Sequence, residues 1–343
     1  MNKRYVASAF GALLILMLAG CASPPNKTTD AAASTRIEIL SPKALDYINP
    51  KAQLTTLGSG YAWTEGPLWV EDGGYLLFSD IPNNVIFKYS PHQGVSRYLD
   101  KSGATELFSG DDNGGSNALL LDNKQQLILL QQGDRRVARM QAPLDTPKAH
   151  YQTMTGFYEG SRLNSPNDAT LDAAGNLYFT DPPYGLTDGF NDPRRELAFS
   201  GVFRLSRDGE LTLLDDTVKA PNGIALSPDN NTLYVAVSDA EQPIWLAYNL
   251  TSDGKAINKR VWFDARNAST ADDKGVPDGM AVHSSGAIYA SAPGGVWLFS
   301  PQGELLAKIH TGRLTANCAL NTKEDYLYIT AHDTLLGLPL TRD

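Results

Sequence analysis

One short unit, repeated in order along the chain, restricts the fold more than any other feature. Residues 162–181 read RLNSPNDATLDAAGNLYFTD: a polar lead with a proline, then two short apolar runs joined by a Gly-Asn turn. Alone this predicts two antiparallel strands with a tight connection. The unit recurs at Pro221-Asn222-Gly223 (PNGIALSPDNNTLYVAVSD), at Pro277-Asp278-Gly279 (PDGMAVHSSGAIYASAPGG) and at Thr64-Glu65-Gly66 (TEGPLWVEDGGYLLFSD). Weaker copies begin at Ser116-Asn117-Ala118 and Ala316-Asn317-Cys318. Each copy sets one carboxylate or carboxamide just before an apolar strand.

These anchors, Glu65, Asn117, Asn167, Asn222, Asp278 and Asn317, recur about every fifty residues, the last interval being shorter. Each interval holds several short strands and no helical periodicity. Strand-only repeats of this length predict an all-β fold, a six-bladed β-propeller. The last unit ends one strand short. The segment AQLTTLGSGYAWTEG resembles the fourth strand that precedes other anchors. Residues 54–57 are therefore expected to pair with the final blade and close the ring, leaving no open edge there. A chain of 343 residues could hold two domains, but repeat folds of this length often form one.

In a propeller the inner strands line the channel and begin at one face. Glu65, Asn167, Asn222 and Asp278 should therefore meet on the axis. Two carboxylates and two carboxamides form an oxygen donor set, which suits one hard divalent cation. Ca²⁺ is expected first, with Mg²⁺, Mn²⁺ or Zn²⁺ as alternatives. A single Pro-Asn-Gly or Pro-Asp-Gly would only be a turn; recurrence in phase is what points to a site. The set has no G-x-S-x-G, H-E-x-x-H or Walker competitor in the chain. His92, His150, His283, His310 and His332 are scattered and are expected to be structural or superficial. Two connections exceed a tight turn. Residues 182–200, containing Tyr184, are expected at the pocket rim. Residues 267–276 are expected to be a solvated excursion.

The net charge of −9 argues against a nucleic-acid partner. At the N-terminus, Lys3 and Arg4 precede an apolar run over residues 6–18, too short to span a membrane. Leu18-Ala19-Gly20-Cys21 then looks like a bacterial lipobox, so residues 1–20 are expected to be a signal peptide and Cys21 the lipidated residue. An ordinary signal peptide or an anchor is the alternative. Ala22 after the cysteine suggests the outer membrane, facing the periplasm. Residues 21–36 follow as a flexible tether and residues 37–343 as the folded domain. Cys318 is left without a partner and is expected to be a buried, inert thiol.

WTEGPLW, RLNSPNDATLDAAGNLYFTDPPYGL, PNGIALSPDNNTLYV and VPDGMAV together resemble the senescence-marker-protein, gluconolactonase and luciferin-regenerating-enzyme family, its bacterial gluconolactonase-like members above all. The resemblance implies a propeller with one axial divalent metal that hydrolyses sugar lactones. It implies Glu65, Asn167, Asn222 and Asp278 as metal ligands and Asp278 as proton acceptor and donor. It places Arg162 near the substrate and matches Asn117 to an Asn-Gly position, although Ala118 replaces the glycine here. Asn117, Arg162 and Tyr184 are thus expected to bind substrate. Similar bacterial proteins carry Glu-His-Gly where this chain has Gln131-Gln132-Gly133, which points to a shifted substrate range. The other readings are an aryl-esterase or phosphotriesterase-like hydrolase and a non-catalytic binding propeller. A monomer is expected.

Overall fold

The computed structural model describes residues 35–105, 114–270 and 272–340. The expected signal peptide, the lipidation site Cys21 and nearly all of the tether lie outside the described residues. The described residues form strands, with only short 3₁₀ turns such as Pro42–Asp46 between them. Six antiparallel sheets follow one another as blades. Blade 1 runs Thr64–Val70, Tyr75–Asp80, Val85–Ser90 and Gly94–Asp100. The inner strands of blades 2 to 6 begin at Ser116, Ala169, Pro221, Met280 and Asn317. Each packs on the next, and the sixth packs on the first.

The ring follows from strands apolar on both faces. Tyr75–Asp80, YLLFSD, is buried throughout. Successive side chains point to opposite faces, so Leu76 and Phe78 pack toward Tyr328 and Leu335 of blade 6. Leu77 turns the other way, onto Leu129 and Met140 of blade 2. Similar clusters fill the remaining blade interfaces. Truncating Leu77, which is fully buried, should cost about 2–5 kcal/mol. Blades 4 and 5 meet through Trp245, whose ring lies 5.4 Å from Phe299 and 6.0 Å from Trp297.

The ring closes as expected, slightly displaced. Thr55–Ser59 pairs with Thr334–Pro339, Thr56 opposite Leu336 and Ser59 opposite Thr334, with a bulge at Leu57. The N-terminal segment does one thing the repeat did not foretell. Arg36–Ile39 adds a fifth strand to the outside of blade 5, Ile37 opposite Ile309.

Three devices hold the anchors. In blades 1, 2 and 4 the anchor lies inside the first strand, not ahead of it. The register slips there, between Glu65 and Leu68, Ser116 and Leu119, and Pro221 and Ile224. Such bulges re-aim side chains. The last residue of the second strand then fixes the lead. The N–H groups of Ala62 and Trp63 donate to Asp80 at 3.1 and 3.2 Å. Those of Asn164 and Ser165 donate to Asp181 at 2.7 and 2.9 Å. Finally, hydroxyls tie blades 1, 3 and 4 to the next anchor or the residue before it: Ser79 to Asn117 O, Thr180 to Asn222 O and Ser238 to Pro277 O. The glycine after an anchor is also explained. A Cβ on Gly66, whose φ is +52°, would lie 2.1 Å from Asn117 O, and one on Gly223 2.2 Å from Asp278 O. Ala118 is accommodated at the equivalent place, its N–H donating to Asn167 O at 3.0 Å.

Candidate functional site

The anchors converge on a cavity of about 490 Å³, a size typical of small-molecule sites. Glu65, Asn117, Asn167, Asn222 and Asp278 line it, one from each of blades 1 to 5. All four expected metal ligands are therefore brought together, and Asn117 stands with them. The sixth anchor does not line this cavity. Asn317 sits beneath Glu65, its amide donating to Glu65 Oε2 at 3.2 Å.

The amide orientations follow from their partners. Ser238 Oγ donates to Pro277 O, so it must accept from Asn222, whose Nδ2 lies 2.9 Å away. That turns Asn222 Oδ1 the other way. Asn222 Oδ1, Asn117 Oδ1 and Asp278 Oδ1 are all buried and lack any hydrogen bond. Buried acceptors without donors are costly and rare.

The charge pattern agrees. Among the described residues no lysine or arginine lines the cavity. Burial, together with the charge of Asp168, pushes the Glu65 carboxyl up to about 8. Asp278 is raised by burial first, then by the charges of Glu65 and Asp168. Asp168, on the far side of Asn317, is pushed by burial to about 7. Uncompensated carboxylates and lone acceptors around one point are what a hard cation satisfies. The residues present therefore fit a divalent ion held by oxygens. Among the described residues no group of three or more His, Cys, Asp or Glu forms a metal cluster, because this donor set is mainly carboxamide.

Tyr184 lines the cavity as expected. A Cβ on the next residue, Gly185, would lie 2.6 Å from Gln132 Cβ and 2.8 Å from Ser165 Cβ. Only glycine lets the 182–200 loop come close enough to place the phenol there. Burial, then the nearby Asp278 charge, raises the Tyr184 pKa, so the hydroxyl keeps its proton. Arg162 stands apart from the lining residues. It belongs to a short hairpin, Phe157–Tyr158 with Ser161–Arg162. Its guanidinium donates to Asp134 O at 3.0 Å and its backbone N–H to Glu196 at 2.7 Å.

Sequence reasoning passed over several lining residues: Trp63, Ile81, Pro82, Ser238 and Val276. Their signal lay in the repeat phase. Trp63 is two residues before an anchor, and Pro82 and Ser238 follow the ends of second strands. Val276 also shows that the loop before Asp278 is more than a solvated excursion. Among the histidines, His332 packs edge-on against Trp63 at 5.4 Å, while His283 pairs with Glu324 at 3.1 Å, outside the cavity lining. Cys318 is buried, and burial raises its pKa to about 12.

Comparison with known proteins agrees with this architecture. The SMP-30/Gluconolactonase/LRE-like region matches residues 63–333. A gluconolactonase of Zymomonas mobilis is 35% identical over 92% of this chain and 88% of its own length. The structure of a Xanthomonas campestris gluconolactonase superposes with a TM-score of 0.75 at 30% identity, covering 89% of this chain and 95% of that one. Regucalcin from Agrobacterium tumefaciens, a calcium-binding protein, shares the fold at a TM-score of 0.65 and 15% identity, over 83% of this chain and 92% of its own.

Proposed function

Because the chain belongs to the SMP-30/gluconolactonase/LRE-like family, we propose that it hydrolyses sugar lactones in this cavity with the help of one divalent cation. One observation carries the cation: among the described residues, the buried acceptors Asn222 Oδ1 and Asp278 Oδ1 have no hydrogen-bond partner, and they stand beside Glu65 in a cavity that no described lysine or arginine lines. Glu65, Asn167, Asn222 and Asp278 would hold the ion. An all-oxygen set that includes neutral amides suits Ca²⁺ best. When bound, the ion supplies Lewis acidity toward a carbonyl oxygen and offsets the carboxylate charge.

The chain's own residues carry the proton and the substrate. The Asp278 carboxylate takes a proton from the water that attacks the lactone carbonyl carbon. The ring C–O bond then breaks, and the ring oxygen leaves with that proton, giving the open hydroxy acid. Asn117 Oδ1 accepts from a sugar hydroxyl, and the protonated Tyr184 phenol donates to another substrate oxygen. Gln132, buried at the same wall, reads a further hydroxyl. Trp63 offers a flat face to the ring carbons, and Pro82 and Val276 limit water.

The test is proton release from glucono-δ-lactone by purified, Ca²⁺-loaded protein. Turnover is expected. Intact Ca²⁺ binding without turnover of any aldonolactone would leave a binding propeller instead.

The N-terminal pattern supports a lipid on Cys21 and a place in the bacterial cell envelope, at the outer membrane facing the periplasm. Cys21→Ala should move the protein from the membrane fraction to the soluble one.

A further inference from the structure

Asn317 was the anchor that failed to reach the cavity. It is 6% exposed and lies on the axis between two carboxylates. Its Oδ1 accepts from the N–H of Cys318 at 2.8 Å, which fixes the orientation of the amide. The NH₂ group must therefore face the axis. There it donates to Glu65 Oε2 at 3.2 Å and stands in hydrogen-bond contact with Asp168. Asp168 is held in turn by the N–H groups of Ala169 at 2.8 Å and Ile224 at 3.3 Å. The result is a polar bridge from blade 1 through blade 6 to blade 3. The backbone makes room for it: a Cβ on Gly279 would lie 1.9 Å from Asn317 Cγ.

Glu65 Oε2 also accepts from its neighbour Gly66 N–H at 2.9 Å. With Oε2 doubly bound from below, Oε1 is the oxygen left for the cavity. We propose that Asn317 is a positioning residue for the cation site: by holding Glu65 Oε2 it aims Oε1 at the cavity, and it touches neither cation nor substrate. This rests on the cation reading above and adds to it a residue outside the cavity.

Partners of this kind typically change metal affinity about 10–100-fold. The experiment is calorimetric titration of chelator-treated protein with Ca²⁺, for wild type, Asn317→Leu and Asn317→Ala. Leucine keeps most of the volume and removes both donors; alanine serves if leucine does not fold. Melting of each cation-free variant verifies that it is folded. The expected result is a Ca²⁺ Kd raised about 10–100-fold in a folded variant, with kcat recovering as Ca²⁺ is raised. A folded variant that binds Ca²⁺ like wild type overturns the inference while leaving the cation site standing. Wild type that binds no Ca²⁺ overturns the cation reading and this inference with it.

Discussion

Removing the cation should make stability fall as pH rises. Glu65, Asp168 and Asp278 crowd the axis; burial raises all three above ordinary carboxyl values, and repulsion adds to it at Glu65 and Asp278. A carboxyl whose folded pKa exceeds its unfolded one contributes stability that is fully present below the unfolded value. That stability is lost as pH rises through the folded value. For Asp168, raised from 3.8 to about 7, the loss is about 4 kcal/mol. Glu65, raised from 4.5 to about 8, gives about 5 kcal/mol on the same basis. The two repel each other, so one such figure is the scale for the cluster, not the sum. In a domain of this size it corresponds to roughly 10 °C in Tm. The assay is thermal melting between pH 5 and pH 8, with chelator and with excess Ca²⁺. Chelated protein should lose the larger part of that Tm across the window, and Ca²⁺ should restore most of it at pH 8 but little at pH 5. Asp181, also pushed by burial to about 7, titrates in the same window but lies outside the cavity lining. It contributes equally to both profiles and cancels in their difference. Superimposable profiles with and without Ca²⁺ would refute the reasoning.

Three further outcomes follow from the geometry. Asp278→Asn should lower kcat by at least about 100-fold, the usual worth of a positioned base, with the cation-free fold intact by circular dichroism. Gly223→Ala forces a methyl to within 2.2 Å of Asp278 O; denaturant melts should show about 1–3 kcal/mol of lost stability, and activity should fall with it. Deleting residues up to 58 removes the strand paired with Thr334–Pro339 and the outer strand on blade 5. Tm should drop sharply, and an unchanged Tm would count against closure by that strand.

The repeat made the ring legible because a blade is a local object. Strand period, turn chemistry and spacing all reside in neighbouring residues, as YLLFSD and LYFTD show. It also placed Glu65, Asn167, Asn222 and Asp278 at one mouth, since equal phase in equal blades leads to one axis. The extra strand Arg36–Ile39 was not legible, because nothing in RIEI says which open edge it will meet.

Which way each anchor turns was decided only by the tertiary structure. Asn222 and Asn317 occupy the same place in the repeat. Asn222 presents its oxygen to the cavity because Ser238, itself tied to Pro277, accepts its NH₂ group. Asn317 turns beneath the cavity because Glu65 and Asp168 take its donors from blades 1 and 3. Arg162 lies five residues before an anchor in sequence, yet the backbone carbonyl of Asp134 holds its guanidinium off the axis. An amide or guanidinium is oriented by its hydrogen-bond partners, and here those partners come from other parts of the ring. The chain therefore determined by itself that six oxygen-bearing anchors would surround an axis. The folded ring determined that five face one cavity while the sixth supports them from below.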